Sequence, residues 1–322
     1  MTTTRPRRGL GAATLLLVLL ALIALLGLTG CGGSAGTGSS GGSPSPAASG
    51  PITVTDDAGK AVTLKQPAAR VVSIAPADTE SAFALGAGSK VVGDTTFCDY
   101  PAAAKALPKV GDFANPSVEK IVALRPDLVL AAGGIQANLR SELENLGLQV
   151  FVVDPHDLAG VMADIEKMGR LMGVSDGAAK VVQQMKVTIA AVQQKVGSLP
   201  KAKVFFEIYG KPLMAAGSGT FINDLIATAG GINVGAQAGA GYPSFSTEVL
   251  IKVNPDVYVA VKGSQSEPGA IAKRPGYGSL KAVKDGRVYT IADNLVVRPT
   301  PRLAQGLEEL AKMIHPEAFT TQ

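Results

Sequence analysis

The sequence predicts an α/β protein of two similar lobes, each a mostly parallel sheet flanked by helices, joined by one long helix. Three observations predict it. Residues 117–132 (SVEKIVALRPDLVLAA) occur again, altered, as residues 246–261 (STEVLIKVNPDVYVAV), offset by 129 positions without a gap and identical at five of sixteen. Two copies so far apart suggest two lobes built on one unit. Short buried strands alternate with helices before and after the midpoint, the pattern of a parallel sheet covered on both faces. Between them, residues 158–196 read as helical, interrupted near 173–176. The second part, roughly 20 residues, would extend about 30 Å, enough to pass from one lobe to the other.

The repeated unit reads alike in both copies. Ser117 and Ser246 are good N-caps. Glu119 and Glu248 follow in the first turn, where a carboxylate suits the helix dipole. Ile121 and Leu124, or Leu250 and Val253, give about two apolar-faced turns. Pro126 or Pro255 then ends the helix, because the residue before proline is driven from the α region. Asp127 and Asp256 open short apolar runs that read as buried strands.

The N-terminus sets the compartment. Arg5, Arg7 and Arg8 precede an apolar run over 10–28, the form of a secretory leader covering residues 1–30. LTGC (28–31) resembles a bacterial lipobox, which implies that Cys31 becomes a diacylated N-terminus; an uncleaved anchor with a chance cysteine is the plainer alternative. Residues 31–51, mostly Gly, Ser, Ala, Thr and Pro, cannot bury a core and form a tether reaching on the order of 25 Å. The body then divides into an N-terminal lobe (52–156), a helical connector (157–200) and a C-terminal lobe (201–322).

Composition narrows the function. Hydrophobic residues make up 46% and charged residues 17% of 322, enough apolar material for a well-filled core. Without the three leader arginines, 27 basic residues face 26 acidic ones. That near balance gives no support for a nucleic-acid partner. With Cys31 lipidated, Cys98 has no disulfide partner and reads as a small buried apolar residue. The only histidines, His156 and His315, cannot assemble a multi-histidine metal site, so no metal is expected.

In chain order, residues 52–64 alternate around 57–59 as a β-hairpin. Residues 71–74 are a strand, 76–85 a helix capped within PADT and stopped by Gly86, and 91–92 a second strand. Loops at 94–101 and 109–116 follow, the latter feeding the first repeat. Residues 138–146 are helical and 150–153 a strand. The connector's second helix starts on a Ser175 or Asp176 cap. The C-terminal lobe opens with a strand at 203–209. It continues with a helix at 220–229, a loop at 235–243, the second repeat, a short helix at 278–283, a strand at 288–291 and a closing helix from Pro301 to Ile314.

The candidate site residues stand on loops. Phe113 and Tyr242 precede the two repeated helices, and Phe97 and Tyr100 lie in the 94–101 loop. Aromatics on loops at strand C-terminal ends suggest a ligand cleft; plugging of the core edge accounts for them equally well. Arg298, in a turn stiffened by Pro299 and Pro301, can present a fixed donor fork, or lie at the core edge. No catalytic constellation is present: there is no nucleophile elbow and no P-loop. GSG (217–219) is a weak echo of an anion-binding turn.

These residues together are specific. SIAPADTE (73–80), CDYP (98–101), SVEKIVALRPD (117–127) and RPTPR (298–302) resemble the substrate-binding lipoproteins of bacterial ABC importers for vitamin B12 and ferric siderophores, above all the cobalamin-binding type. The resemblance covers residues 52–316. It implies a helical-backbone periplasmic binding protein fold with the ligand between the lobes, and a small, stiff closing motion. It implies that Phe97, Phe113 and Tyr242 pack against a corrinoid, that Arg298 lies at the cleft, and that Glu119 and Glu248 pair with arginines of an ABC permease dimer. The chain is then a non-enzymatic monomer without cofactor. Its ligand is cobalamin or a ferric chelate, and it is held outside the cytoplasmic membrane by lipidated Cys31. Relatives of this type often use Trp at the aromatic positions; this chain has none. A ferric-siderophore or haem binder is the alternative of the same class. A secreted α/β enzyme using the 217–220 turn, or a surface co-receptor, is the alternative of another.

Overall fold

The structure is a computed structural model describing residues 50–263 and 267–320. The leader, most of the tether and Cys31 lie outside the described residues. The described chain begins with an antiparallel hairpin, β1 (Ile52–Thr55) and β2 (Ala61–Leu64), in register from Ile52 opposite Leu64 to Thr55 opposite Ala61. Its alternation buries Val54, Val62 and Leu64. The Asp56 side chain closes the turn on the Lys60 amide at 2.8 Å.

The N-terminal lobe contains β3 (Val71–Ser73), α1 (Pro76–Ala84), β4 (Val91–Gly93), α2 (Val118–Ala123), β5 (Leu128–Ala132), α3 (Ala137–Asn145) and β6 (Val150–Val153). Its strands pair in parallel in the order β4-β3-β5-β6. Two helices follow, α4 (Leu158–Met172) and α5 (Ser175–Val196), separated by Gly173 in the left-handed region (φ +66). The Ala68 amide donates to Leu171 O, which fastens α4 to the N-terminal lobe. The 22-residue α5 is the long helix that reaches the second lobe, about 33 Å at 1.5 Å per residue.

The C-terminal lobe contains β7 (Ala202–Gly210), β8 (Leu213–Ala215), α6 (Phe221–Thr228), β9 (Gly231–Asn233), α7 (Thr247–Val253) and β10 (Val257–Val261). It closes with α8 (Pro268–Ala272), α9 (Lys281–Lys284), β11 (Val288–Ile291), α10 (Asp293–Val296) and α11 (Leu303–Ile314). The order is β11-β10-β7-β8, with β9 also on β7; only the β7–β8 pair is antiparallel. Glu207, buried in β7, is met by the Arg274 guanidinium at 2.6 Å and accepts from the Tyr258 hydroxyl.

Both repeats place their strand in the interior of a sheet, β5 between β3 and β6, and β10 between β7 and β11. Ser117 and Ser246 cap as expected, each hydroxyl accepting from the amide three residues on. The repeated Asp has a second use. Asp127 accepts from the Ala69 and Arg70 amides at 2.9 and 3.0 Å, and Asp256 from the Lys203 amide at 2.9 Å. Each thereby pins its strand to the parallel strand beside it.

One apolar core runs from Leu130 and Phe151, along Ile165, Met168, Val182 and Met185 of α4 and α5, to Phe206, Ile226 and Leu310. The connector is therefore packed against both lobes. Separate clusters fill the outer face of each sheet.

Several local expectations are corrected. The caps predicted within PADT and at Ser175 or Asp176 are absent: Ala75 and Val174 occupy the N-cap positions, with no side-chain bond. Helix α11 starts at Leu303, after an Arg302 cap, rather than at Pro301. The residues before Pro126 and Pro255 do leave the right-handed α region as expected, and they do so on the left-handed side: Arg125 (φ +46) and Asn254 (φ +50), the same device at the same register in both copies.

Candidate functional site

A cavity of about 500 Å³ opens at the C-terminal ends of the N-lobe strands, against the C-lobe segment 297–299. The first turn of α1 supplies Pro76, Ala77 and Asp78. Phe97 and the 112–114 loop form the sides, and Ala132 and Val153 stand at the strand ends. Carbon dominates the walls, and the polar groups are few. That is the form of a small-molecule cleft.

Of the sequence-predicted residues, Phe97, Phe113 and Arg298 line this cavity. Phe97 is exposed, with 59% of its surface accessible. Tyr100 and Tyr242 are not part of its wall. Tyr100 lies under the Arg302 guanidinium, 4.1 Å from the ring centre. Tyr242 is 40% exposed overall, and desolvation of its phenol together with the charge of Asp154, in the other lobe, pushes that group up to about 12. Arg298 is not free: its Nη1 meets Asp99 Oδ1 at 2.7 Å. Burial opposes ionisation of Asp99, but the Arg298 guanidinium outweighs it and holds the carboxyl below its ordinary value.

Glu119 and Glu248 are exposed, each at the second helical position of α2 and α7. The 217–219 turn has no amides left for an anion at its start. Gly217 N donates to Gly241 O and Ser218 N to Gly239 O, both at 2.8 Å.

Cys98 is buried, accepting from the Thr79 hydroxyl at 3.1 Å, and burial pushes its thiol up. His156 is exposed, and His315 caps α11, with its ring nitrogens facing Gly230 O and Glu317. Among the described residues no group of three His, Cys, Asp or Glu side chains could hold a metal. No described helix is long and apolar enough to cross a membrane.

Three features escaped the sequence. Gln136 is buried and ties the cleft together: its Nε2 donates to Ile74 O and Phe113 O, and its Oε1 accepts from the Ala132 amide, all at 2.8 Å. It fixes the Phe113 loop against two strand ends. Arg302 grips Glu80 of α1 with two bonds of 2.6 and 2.5 Å, a bidentate pair between the lobes. Asp78 stands in the cavity wall and is itself 2% exposed. The only available signal was SIAPADTE itself, a helix start with two carboxylates where an amphipathic pattern wants apolar residues.

Comparison with known proteins agrees with this architecture. The family model described as periplasmic binding protein matches residues 71–295. An uncharacterized ABC transporter substrate-binding lipoprotein, YvrC of Bacillus subtilis, is 36% identical over 84% of this chain and 87% of its own length. The crystal structure of the periplasmic vitamin B12 binding protein BtuF of Vibrio cholerae superposes with a TM-score of 0.70 at 25% identity, over 79% of this chain and 99% of that one. The periplasmic heme-binding protein RhuT from Roseiflexus sp. RS-1 superposes with a TM-score of 0.69 at 27% identity, over 77% and 98%. The chain therefore belongs to the periplasmic binding protein family, the non-enzymatic substrate-binding proteins of ABC importers.

Proposed function

We propose that the chain is a monomeric extracytoplasmic lipoprotein, anchored through Cys31, that captures a corrinoid such as cobalamin and delivers it to an ABC permease dimer. The observation that carries this reading is the charge of the cleft. Among the described residues lining it, Arg298 is the one cation, and Asp99 already neutralises it. Asp78 and Asp112 add carboxyl groups. Such a wall repels an anionic catecholate chelate and offers it no unpaired guanidinium. A bulky neutral or cationic ring edged with carboxamides meets apolar walls, two phenyl faces and hydrogen-bonding acids. Haem asks for an axial His, Cys, Met or Tyr, and the cavity wall holds none of these. The relatives named for vitamin B12 support the same choice.

Delivery is assigned to Glu119 and Glu248. Neither makes an ion pair or side-chain hydrogen bond among the described residues, so both are open to permease arginines in charge-assisted pairs. The test is calorimetric titration of the mature protein with cyanocobalamin, haemin, a neutral ferric hydroxamate and an anionic ferric catecholate. Cyanocobalamin is expected to bind tightest and the catecholate not at all. Binding of haemin or a ferric chelate in preference to cyanocobalamin would overturn the corrinoid reading.

A further inference from the structure

We infer that Asp78 is a direct ligand contact: a carboxylic acid at the cleft wall that donates its proton in a hydrogen bond to a carbonyl oxygen of the ligand. The inference rests on the reading of the cleft as the ligand site. Asp78 is the third residue of α1, and Pro76, Ala77 and Asp78 together form one side of the cavity. Its side chain receives no hydrogen bond from any described residue, and Oδ2 is buried without a partner. A buried polar group left unpaired is costly, so its surroundings call for an explanation.

Those surroundings are acidic. On the hairpin side stands Asp57, and on α4 stands Asp164. Lys167 is taken by both, at 3.2 Å from Asp57 Oδ1 and 2.8 Å from Asp164 Oδ1. Across the cavity are Asp112 and the already paired Arg298. Burial, with the charges of Asp164 and Asp57 behind it, pushes the Asp78 carboxyl well above the ordinary carboxylate range. The ionised form would be a desolvated charge beside the Asp57 and Asp164 carboxyl groups with no donor facing it. The neutral acid has a proton to give and no protein acceptor for it. A ligand acceptor in the cavity completes the bond, in the way that apolar sites elsewhere keep a carboxylic acid neutral so that it can donate. The ligand chemistry selected is a carboxamide or other neutral carbonyl group.

The experiment uses the mature protein, wild type, Asp78→Asn and Asp78→Ala. Both variants are expected to melt no lower than wild type, because an unpaired buried carboxyl is removed. Carbon-13 NMR of labelled aspartate in the ligand-free protein, with the resonance assigned by Asp78→Asn, should show Asp78 still protonated at pH 7; an ionised carboxyl there overturns the inference. In calorimetry with cyanocobalamin, Asp78→Ala should bind roughly tenfold more weakly, and Asp78→Asn, which keeps a donor, within about threefold of wild type. Wild-type affinity should fall on the alkaline side while that of Asp78→Asn stays flat. Undiminished binding by Asp78→Ala overturns the contact. If wild type fails to bind cyanocobalamin, the corrinoid reading falls, and the protonation state read by NMR decides for or against the acid.

Discussion

Replacing Arg302 by Ala should cost far more than neutralising its partner, and the structure says why. Arg302 Nε and Nη2 reach Glu80 Oε1 and Oε2 at 2.6 and 2.5 Å, joining the mouth of α11 to α1 across the lobes. The two sides of this pair are unequal: the Glu80 side chain is 2% exposed and that of Arg302 20%. Removing Arg302 strands a buried carboxylate, a change that costs about 3–5 kcal/mol, and forfeits its stacking on Tyr100, worth about 0.5–1 kcal/mol. Replacing Glu80 by Gln removes the buried charge. Arg302 keeps its place over Tyr100 and its access to water, so the loss should be about 1–2 kcal/mol. Urea denaturation of both single variants and of the double variant closes a cycle. Arg302→Ala should lose at least about 1.5 kcal/mol more than Glu80→Gln, and the double variant should recover stability relative to Arg302→Ala. Equal losses from the two single changes, or strict additivity, would refute the claim that burial of the Glu80 charge makes the pair asymmetric.

Asp127→Ala should destabilise by about 1–2 kcal/mol and Asp256→Ala by roughly half as much, because the first gives up two backbone bonds and the second one; chemical denaturation yielding equal losses contradicts this account of the repeat. Glu119→Arg with Glu248→Arg should abolish cobalamin uptake in cells and leave calorimetric affinity within a few-fold of wild type, whereas a collapse of ligand binding removes the docking assignment. Burial, and then the bond to Asp57, raise the Asp164 carboxyl from 3.8 to about 7. Its stabilising proton is therefore fully held below pH about 4 and lost as pH rises through about 7, so Asp164 should contribute a decline in stability of at most about 1.4 kcal/mol per pH unit across that window, added to one of the same sign from Asp78, whose carboxyl burial also pushes up. Asp57, held low despite its burial by its bonds to Asp164, the Asp154 amide and Lys167, acts with the opposite sign and only on further acidification. Asp164→Asn should make the decline shallower by that share and leave the part due to Asp78, and a wild-type stability that instead rises between pH 4 and 7 rejects the assignment.

The parts of the fold that were legible in the sequence are those whose cause is local. Ser117 and Ser246 cap within three residues, the hairpin turns on its own Asp56, and the interior strands of both lobes announce themselves as short apolar runs. What was illegible depends on partners brought together by the fold. Glu80 finds Arg302 at a separation of 222 positions, so nothing in PADTESAF marks it as the anchor of a salt bridge. Gln136 is informative only once the ends of β3 and β5 and the Phe113 loop converge on it. Strands β8 and β9 have three residues each and lie at the sheet edge, too short for a period to register. The rule for residues before proline held at Arg125 and Asn254, which both leave the right-handed helical region, and what it did not specify is that both leave it on the left-handed side. In the first copy, the Arg70 guanidinium then takes the freed Leu124 and Arg125 carbonyls at 2.7 and 3.2 Å.

The repeat extends further upstream than its sixteen residues suggest. Phe113 and Tyr242 are themselves 129 positions apart, and each stands six residues before the glutamate of its unit, Glu119 or Glu248. Each lobe thus carries an aromatic and an exposed carboxylate on one loop and helix start, and of the two aromatics Phe113 lines the cavity. In the N-terminal lobe the Phe113 carbonyl is fixed by Gln136, which is fixed in turn by strand ends β3 and β5. A loop held in that way cannot pass ligand occupancy outward by bending on its own. Across the lobes, the 298–302 segment makes two ion pairs, Arg298–Asp99 and Arg302–Glu80. Glu80 lies two residues after Asp78 in α1, so the cavity wall and the ion pair between the lobes share one helical turn. On the proposed reading, the spacing of Glu119 and Glu248 presented to a permease reports the closure of that ion pair rather than any rearrangement of the loops around the ligand.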